Sequence, residues 1–564
     1  MITIPTKTDA KKPSGAPFII DQCSFCHGQQ IDFSVVDLAE DKINSWPMVY
    51  ILANSKEAYV GQTTSISTRM TQHEANEEKR DFTTANIIYN EEFNTSVITD
   101  YEHRLIGYMH GDGRYILTNK NEGMTDTNYF SKAQYSDMFG DLWSELKRLD
   151  LVDHTLDEIE ESEVFKYSPF KGLTVDQRVA LDKIMAAIEC GITDANPIVV
   201  EGVPGTGKTV LAIYLLKMLK DTPEYADMNV KIIEPVTSLR TTLRKALKGV
   251  SGLTSADIIA PADLIKKGYV KGQKKSFDIV LVDEAHKLKR RVNLGTQYGN
   301  YDKVNKKLGL PKNATQMDWI IDQAKLPIFF YDPLQTVGPS CLSKDCIQNS
   351  LGESLDDPIR LDSQMRVKGG KEYLNYIAAI FADKNPELRD FGEYDLAIHD
   401  DFGSFVSSFE KDFRNHDLSR MIAGYAWKWA TKQKNGSAKY DIEIDGISLR
   451  WNCTYDNWVG RGVNDDAIAH EVGCIHSIQG YDLSYAYVII GDDLEIDECT
   501  GLLKANKQHY FDRNGKSTAS ADELTQYIKN IYYVLLTRGI YGTHIYVANP
   551  KLRSYLLKFF PHAD

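Results

Sequence analysis

A chain of 564 residues is too long for a single hydrophobic core and is expected to form two to four domains. Hydrophobic residues at 42% and charged residues at 26% fit a soluble globular protein, and a net charge of −14 excludes a surface coated in basic residues. No apolar run approaches a membrane span, the opening MITIPTKTDAKKPSGAP lacks a signal segment, and eight cysteines in this length exclude a disulfide scaffold, so a cytoplasmic location is expected.

Residues 1–45 read as a polar extension with one short turn. Cys23-Ser-Phe-Cys26-His27 has the spacing of half a zinc site, but no second cysteine pair follows at a matching distance, which favours a cysteine-containing turn. From 46 to 130, short strands and amphipathic helices alternate, as in a small α/β domain. Its first apolar runs, MVYILANSKEAYVGQT, set Tyr50 and Tyr59 on consecutive strands, the second followed by Val60-Gly61. Arg69 and His73 are four apart on the next predicted helix and share a face. A further helix, with Thr95 as its expected N-cap, has a buried stripe of Ile98, Tyr101, Leu105 and Tyr108 flanked by Glu102. Asn119 follows another short strand. The stretch 131–170 holds DLVDHTLDEIEESEVF and reads as an acidic helical linker.

From Gly172 onward the pattern of strand, glycine-rich loop and helix repeats, which implies parallel sheets covered by helices: an α/β protein with one lobe over 171–345 and a second over 346–564. The strand Ile198–Val200 runs into Gly202-Val-Pro204-Gly205-Thr206-Gly207-Lys208-Thr209 and then into a helix with apolar residues at helical spacing. That is GxxxxGK[ST] in its strand–loop–helix context, whose backbone N–H groups curl around phosphate. Lys208 would reach the β- and γ-phosphates of ATP and Thr209 would ligate Mg²⁺. FDIVLVDEAHKL ends a second buried strand in Asp283 and Glu284, the first to hold the Mg²⁺ shell and the second to activate the hydrolytic water. Residues 240–312 carry 17 Lys and Arg against 6 Asp and Glu; runs such as KKGYVKGQKK and HKLKRR read either as a solvated face or as a phosphate track for nucleic acid.

Over residues 170 to 550 the ordered blocks resemble superfamily 1 helicases, and more narrowly the schlafen group 3-like helicase domains. The resemblance implies two RecA-like lobes closing on ATP. It assigns Gln177 in GLTVDQRVAL to adenine reading, and the region of Thr237 in PVTSLRTTL to nucleic-acid contact. Asp332 and Gln335 in IFFYDPLQTV become sensors, and Arg366 in LDSQMR a γ-phosphate contact from the second lobe. His476, Gln479 and Gly480 in GCIHSIQGYDL and the arginine finger Arg538 in LLTRGIYG complete the set. Little chain separates PVTSLRTTL from VDEAH and only a modest stretch separates Arg366 from His476, which favours a translocase or nucleic-acid-stimulated ATPase over a fast, processive unwinder.

Over 46 to 125 the ordered set Tyr50, Tyr59 with Gly61, Arg69, His73, Glu102 and Asn119 resembles the GIY-YIG nuclease family, with Met48 in place of the first namesake glycine and Asn121 competing with Asn119. The resemblance implies a phosphodiesterase in which Glu102 binds the Mg²⁺. Tyr50, acidified by nearby positive charge, would deprotonate water. Arg69 would offset charge on the phosphate, His73 and Tyr59 would orient water and phosphate, and Asn119 would brace the site. The expected whole is an ATP-driven nuclease with nucleic acid as partner, DNA before RNA, and by analogy of fold a role in restricting foreign DNA or in repair. A module that binds nucleic-acid ends without cutting, and an RNA-directed enzyme, remain the alternatives.

Overall fold

The computed structural model describes residues 18–33, 40–119, 129–160, 162, 165, 167–170, 172–193, 195–266, 274–342, 344–364, 367–416, 418–431, 439–452, 458–459, 461, 465–478 and 481–563. The chain divides into two compact units: the first runs up to Val175 and includes Ile213–Asp227 and Thr241–Ile258, and the second takes Asp176–Ala212, Met228–Arg240 and Ile259–Asp564. Among the described residues, no helix is long and apolar enough to cross a membrane.

The first unit is built on a five-stranded sheet of β1 (Ile19–Ser24), β2 (Met48–Ala53), β3 (Glu57–Thr63), β4 (Thr84–Tyr89) and β5 (Ile116–Leu117), in the order β1-β4-β2-β3-β5. The pairs β1–β4, β4–β2 and β2–β3 are antiparallel and β3–β5 is parallel. Every residue of β2 is buried, which is why MVYILA reads as a continuous apolar run and not as an alternation. The polar lead-in, expected as an arm with a turn, supplies the edge strand β1, paired from Ile19 opposite Tyr89 to Ser24 opposite Thr84. Cys23 lies buried on that strand, Cys26 is exposed in the turn after it, and the His27 imidazole stands 3.5 Å from Glu77.

The helix Thr95–Asp112 is capped by Asn94, not by Thr95; the Asn94 amide oxygen accepts from Val97 N at 3.1 Å. Ile98, Tyr101 and Leu105 of its expected stripe are fully buried, and Tyr108 is half-buried. The stretch expected as a spacer carries the helix Lys132–Arg148, which buries Phe139, Leu142, Trp143 and Leu146, with Phe139 edge-on to Tyr101 at 5.3 Å. This packing stripe lies ahead of the acidic run, which begins at Asp150.

Among the described residues, the second unit contains two large sheets and a two-stranded one. In the first, β6 (Ile198–Gly202), β7 (Val230–Ile233), β8 (Ile258–Ile259), β9 (Phe277–Val282), β10 (Ala324–Tyr331) and β11 (Ile359–Leu361) lie in the order β11-β6-β10-β9-β7-β8. It is parallel from β11 through β7. The second comprises β12 (Asp395–His399), β13 (Arg420–Ala423), β14 (Ile442–Ile444), β15 (Ile447–Trp451), β16 (Glu471–Gly473) and β17 (Leu483–Ile490). After the hairpin β18 (Leu494–Ile496) and β19 (Leu503–Ala505), β20 (Gly539–Val547) returns to the sheet, giving the order β12-β20-β17-β13-β16-β15-β14. Jumps such as β6 to β10 and β17 to β20 need crossover helices, which place loops at the carboxyl ends of the strands, where ligand sites of open α/β sheets form.

Candidate functional site

The glycine-rich loop leaves β6 at Gly202. A β-carbon there would meet Thr206 Oγ1 at 2.5 Å and Leu361 Cβ at 3.2 Å, so the turn closes only on glycine. Gly205 and Gly207 have φ of +83° and +74°, the left-handed conformation that turns N–H groups to the concave side. Lys208 opens the helix Lys208–Asp221, and its buried ammonium donates to Gly202 O at 2.6 Å and Val203 O at 3.1 Å, across the loop. Two amides hold the loop from outside: Gln177 Nε2 donates to Thr206 O at 2.8 Å and Gln364 Nε2 to Pro204 O at 2.6 Å. Gln177, expected to read adenine, therefore already has its amide on the loop itself.

Strand β9 delivers Asp283 and Glu284 beside this loop. The Thr209 hydroxyl bonds to the Asp283 carboxyl, yet burial, followed by the charge of Glu284, pushes that carboxyl up to about 6. Asp283 Oδ2 is buried with no hydrogen-bond partner. Glu284 adopts a left-handed φ of +48°. Burial works against its ionised form, but His286, whose Nε2 lies 2.8 Å from Glu284 Oε2, holds it below the usual carboxylate range, helped by Lys208 and Lys287. Glu234, just past β7, is a third buried carboxyl in the same field. Burial and the charges of Asp283 and Glu284 raise it well above the ordinary range, while its Oε1 accepts from Val236 N at 2.6 Å. Sequence reading missed it; the available signal was a glutamate placed between an apolar strand and PVTSLR. Three carboxyls in one buried field, with an orphaned oxygen and a hydroxyl at hand, fit a hard divalent cation bound by oxygen.

The segment after β10, expected to carry the sensors, joins the two sheets. Asp332 caps the turn after β10, accepting from Leu334 N at 3.0 Å and from Gln335 Nε2 at 2.7 Å. Lys287 Nζ donates to Gln335 O at 2.8 Å. Arg538, at the start of the β20 segment, brings Nη2 to 3.5 Å from Gln335 Oε1 and Nη1 to 3.3 Å from Tyr481 O, and is itself buried. Asn530 Nδ2 donates to Thr336 O at 2.8 Å, a second tie between the same elements. Arg366, Gln479 and Gly480 lie outside the described residues. His476 sits edge-on to Tyr425 at 6.0 Å, and Thr237 Oγ1 accepts from Arg240 at 3.0 Å.

The basic run HKLKRR has its cations turned to the protein: Lys287 on Gln335, Lys289 on the Gln297 amide oxygen at 3.0 Å, Arg290 on Pro339 O at 2.7 Å and Arg291 on Asp302 at 2.6 Å. Lys287 is buried, whereas Lys289, Arg290 and Arg291 are half-buried. Most of the run KKGYVKGQKK falls outside the described residues.

In the first unit, Tyr50 and Gly61 stand directly opposite on β2 and β3. The buried Tyr50 hydroxyl lies 2.7 Å from His73 Nε2 and accepts from Arg69 Nε at 3.0 Å, so the shared helical face of Arg69 and His73 converges on one oxygen. Tyr59 packs edge-on to His73 at 5.4 Å, with the Lys79 ammonium 3.4 Å over its ring. The Asn119 side chain clamps the backbone of Val60, accepting from its N at 3.1 Å and donating to its O at 2.7 Å. Half-buried Glu102 contributes negative charge at Tyr50. Asn121 is outside the described residues. The expected acidification of Tyr50 is not found: burial and then Tyr59 push its proton affinity far up, and Arg69 offsets only part of this. His73 moves the other way, down to about 4, because burial and then the charges of Arg69 and Lys79 disfavour imidazolium. A single half-buried carboxylate beside these donors fits one hard cation bound through oxygen.

Residues 196–549 match the family model described as schlafen group 3, DNA/RNA helicase domain. The uncharacterized protein YPL245W of Saccharomyces cerevisiae is 26% identical over 394 residues, 64% of this chain and 83% of the yeast protein. Among solved structures, S. cerevisiae Dbp5 bound to RNA and ADP BeF3 is similar at a TM-score of 0.32 and 14% identity, over 70% of this chain and 89% of that one. The Escherichia coli DEAH/RHA helicase HrpB has a TM-score of 0.27 and 12% identity, over 69% of this chain and 44% of its own.

Proposed function

Since this chain belongs to the schlafen group 3 DNA/RNA helicase family, with the matched region running from β6 to β20, we propose that it is an ATP-driven translocase on DNA whose N-terminal unit cuts the strand as a GIY-YIG-type, metal-dependent phosphodiesterase. In this reading the loop 202–209 and Lys208 bind the β- and γ-phosphates of ATP. Thr209 and Asp283 would hold Mg²⁺, which supplies charge neutralisation on the phosphates. Glu284, with His286 Nε2 2.8 Å from its Oε2, orients the attacking water and receives its proton. Arg538 offsets the charge that develops on the γ-phosphoryl group, and its link to Gln335 makes that contribution depend on how the two sheets are apposed. The observation that supports this most is the meeting of Arg538, from the β20 segment, with Gln335 and Lys287 on the other sheet.

In the N-terminal unit, Tyr50 serves as a proton relay. The phenol holds its proton too tightly to act as a base alone, but its oxygen lies 2.7 Å from His73 Nε2, which accepts from it in the tautomer protonated at Nδ1. For a water that gives its proton to Tyr50 to pass one on to His73, negative charge on the bound phosphate must offset the burial and the Arg69 and Lys79 charges that disfavour imidazolium. Arg69 stabilises charge on the phosphate, and Glu102 would carry the cation. The raised proton affinity of Tyr50 also favours a second reading, in which the unit only grips nucleic-acid ends.

The test is to incubate the full chain with Mg²⁺ and with linear, branched and single-stranded DNA and matched RNA, with and without ATP, scoring phosphate release and strand scission. Glu102→Ala is expected to abolish scission and keep ATP hydrolysis, and Lys208→Ala the reverse. Scission by Glu102→Ala at the wild-type rate would remove the nuclease reading. Hydrolysis without scission on every substrate supports the binding module, and stronger stimulation by RNA than by DNA moves the substrate to RNA.

A further inference from the structure

The second sheet carries a polar cluster that neither candidate site uses. His544 lies on β20, opposite Ala397 of β12 on one side and Tyr487 of β17 on the other. Asp395 begins β12, and Asp412 comes from the helix Phe402–Asn415. One ligand atom from each of Asp395, Asp412 and His544 lies within 4.8 Å of the others. We propose that these three residues form a transition-metal site, suited to Zn²⁺ or Co²⁺.

The hydrogen-bond chain behind His544 carries the argument. Ser404 Oγ donates its proton to Asp401 O at 2.9 Å, so at the His399 Nδ1 contact of 3.2 Å it is the imidazole that donates. A neutral His399 then has only an acceptor at Nε2, which faces His544 Nδ1 at 2.9 Å. His544 must donate there, and in its neutral form this leaves a lone pair on Nε2. That lone pair points at Asp395 Oδ2, 3.1 Å away, with Asp412 alongside. A lone pair facing two carboxylates is repulsive unless a cation stands between them, either a metal ion or a second proton on the imidazole. The outer hydrogen bonds are those of a metal-bound histidine, whose second nitrogen is fixed by a partner and whose neighbouring carboxylate is itself hydrogen-bonded. Here Tyr487 donates to Asp412 Oδ2 at 2.6 Å and its ring stacks on His544 at 4.7 Å.

One imidazole and two carboxylates suit Zn²⁺, whereas Mg²⁺ and Ca²⁺ prefer oxygen alone. His544 is buried, Asp412 half-buried and Asp395 exposed, so the site is closed on the protein side and open to water on the other. A bound ion would pin β12, β20 and the helix Phe402–Asn415 together.

The experiment uses the full chain, stripped with chelator and free of nucleotide, titrated with Co²⁺ and then competed with Zn²⁺. One equivalent of Co²⁺ with a visible d–d band, displaced by Zn²⁺, is expected. Asp395→Asn and Asp412→Asn should weaken binding by more than the roughly 10- to 100-fold that loss of an outer-shell partner alone causes, and the band should persist in Glu102→Gln and Asp283→Asn. Asp395 is exposed at the start of its strand, so its substitution decides the matter even if His544→Gln fails to fold. No band, or a band unchanged in Asp395→Asn, overturns the site; a proton on His544 Nε2 then faces the carboxylates in place of a metal.

Discussion

The Tyr50 ring crosses the Gly61 α-carbon in the space that a β-carbon would fill. Built there, that atom would lie 2.9 Å from Tyr50 Cε2 and closer still to the phenolic oxygen. The pairing of Tyr50 with Gly61 across β2 and β3 thus sets where the hydroxyl meets Arg69 and His73.

Gly61→Ala must push the ring aside. We expect a loss of about 1–3 kcal/mol in the first unit and loss of scission, with ATP hydrolysis retained. Chemical denaturation and the two activity assays measure this. Unimpaired scission in the alanine variant would show that the Tyr50 position is not used in cutting.

Arg538→Ala should lower kcat for ATP hydrolysis about 10³-fold while nucleotide affinity changes far less, because the contribution is made as charge develops and not on binding. Arg538→Lys should not rescue it, since a point charge does not reproduce the fork of a guanidinium. Steady-state rates together with fluorescent-nucleotide titration separate the two effects, and equal losses in both would place Arg538 in nucleotide binding.

Lys287 is buried, and burial lowers its proton affinity, yet its Nζ is bonded to Gln335 O. Lys287→Met leaves that carbonyl unpartnered, at a cost of about 1–3 kcal/mol. A lowered melting temperature with hydrolysis reduced less than in Arg538→Ala is expected. Hydrolysis as low as in Arg538→Ala would give Lys287 a direct part in the reaction.

Acid should act on the first unit through its buried histidines. His73 and His110 are both lowered from 6.5 to about 4, each by burial first, with Arg69 and Lys79 adding to the effect at His73. Between these values the unfolded chain binds protons that the folded chain refuses. Their contribution is therefore complete above pH 6.5 and is lost as the pH falls from 6.5 towards 4. Each accounts for up to about 3 kcal/mol. Urea midpoints at pH 7.5 and 5.0 test this: the drop should shrink in His73→Gln, and a drop that does not change would assign it to other groups.

Part of this could be read from residues in a row. The strand, glycine loop, lysine and helix at 198–221 form one contiguous piece whose requirements are local: left-handed turns at Gly205 and Gly207 and no β-carbon at Gly202. Arg69 and His73 were legible for the same reason, since four residues along a helix is one face whatever surrounds it. Other features escaped because their cause lies far away in the chain. Glu234 joins Asp283 only through the β7–β9 pairing, and β1 finds its place only when β4 offers an unpaired edge. The packing face of Lys132–Arg148 came into use only when Tyr101 gave Phe139 a partner.

Local chain chemistry thus shaped the glycine-rich loop and the helix that follows it, and set the order in which the polar residues follow. Only the assembled sheets settled how tightly each of those groups holds its proton and what it touches. Tyr50 shows the difference most sharply: a phenol near arginine looks acidified in sequence, but desolvation outweighs one guanidinium once the ring is enclosed. Burial is a property of everything packed around a side chain, and no stretch of neighbouring residues encodes it.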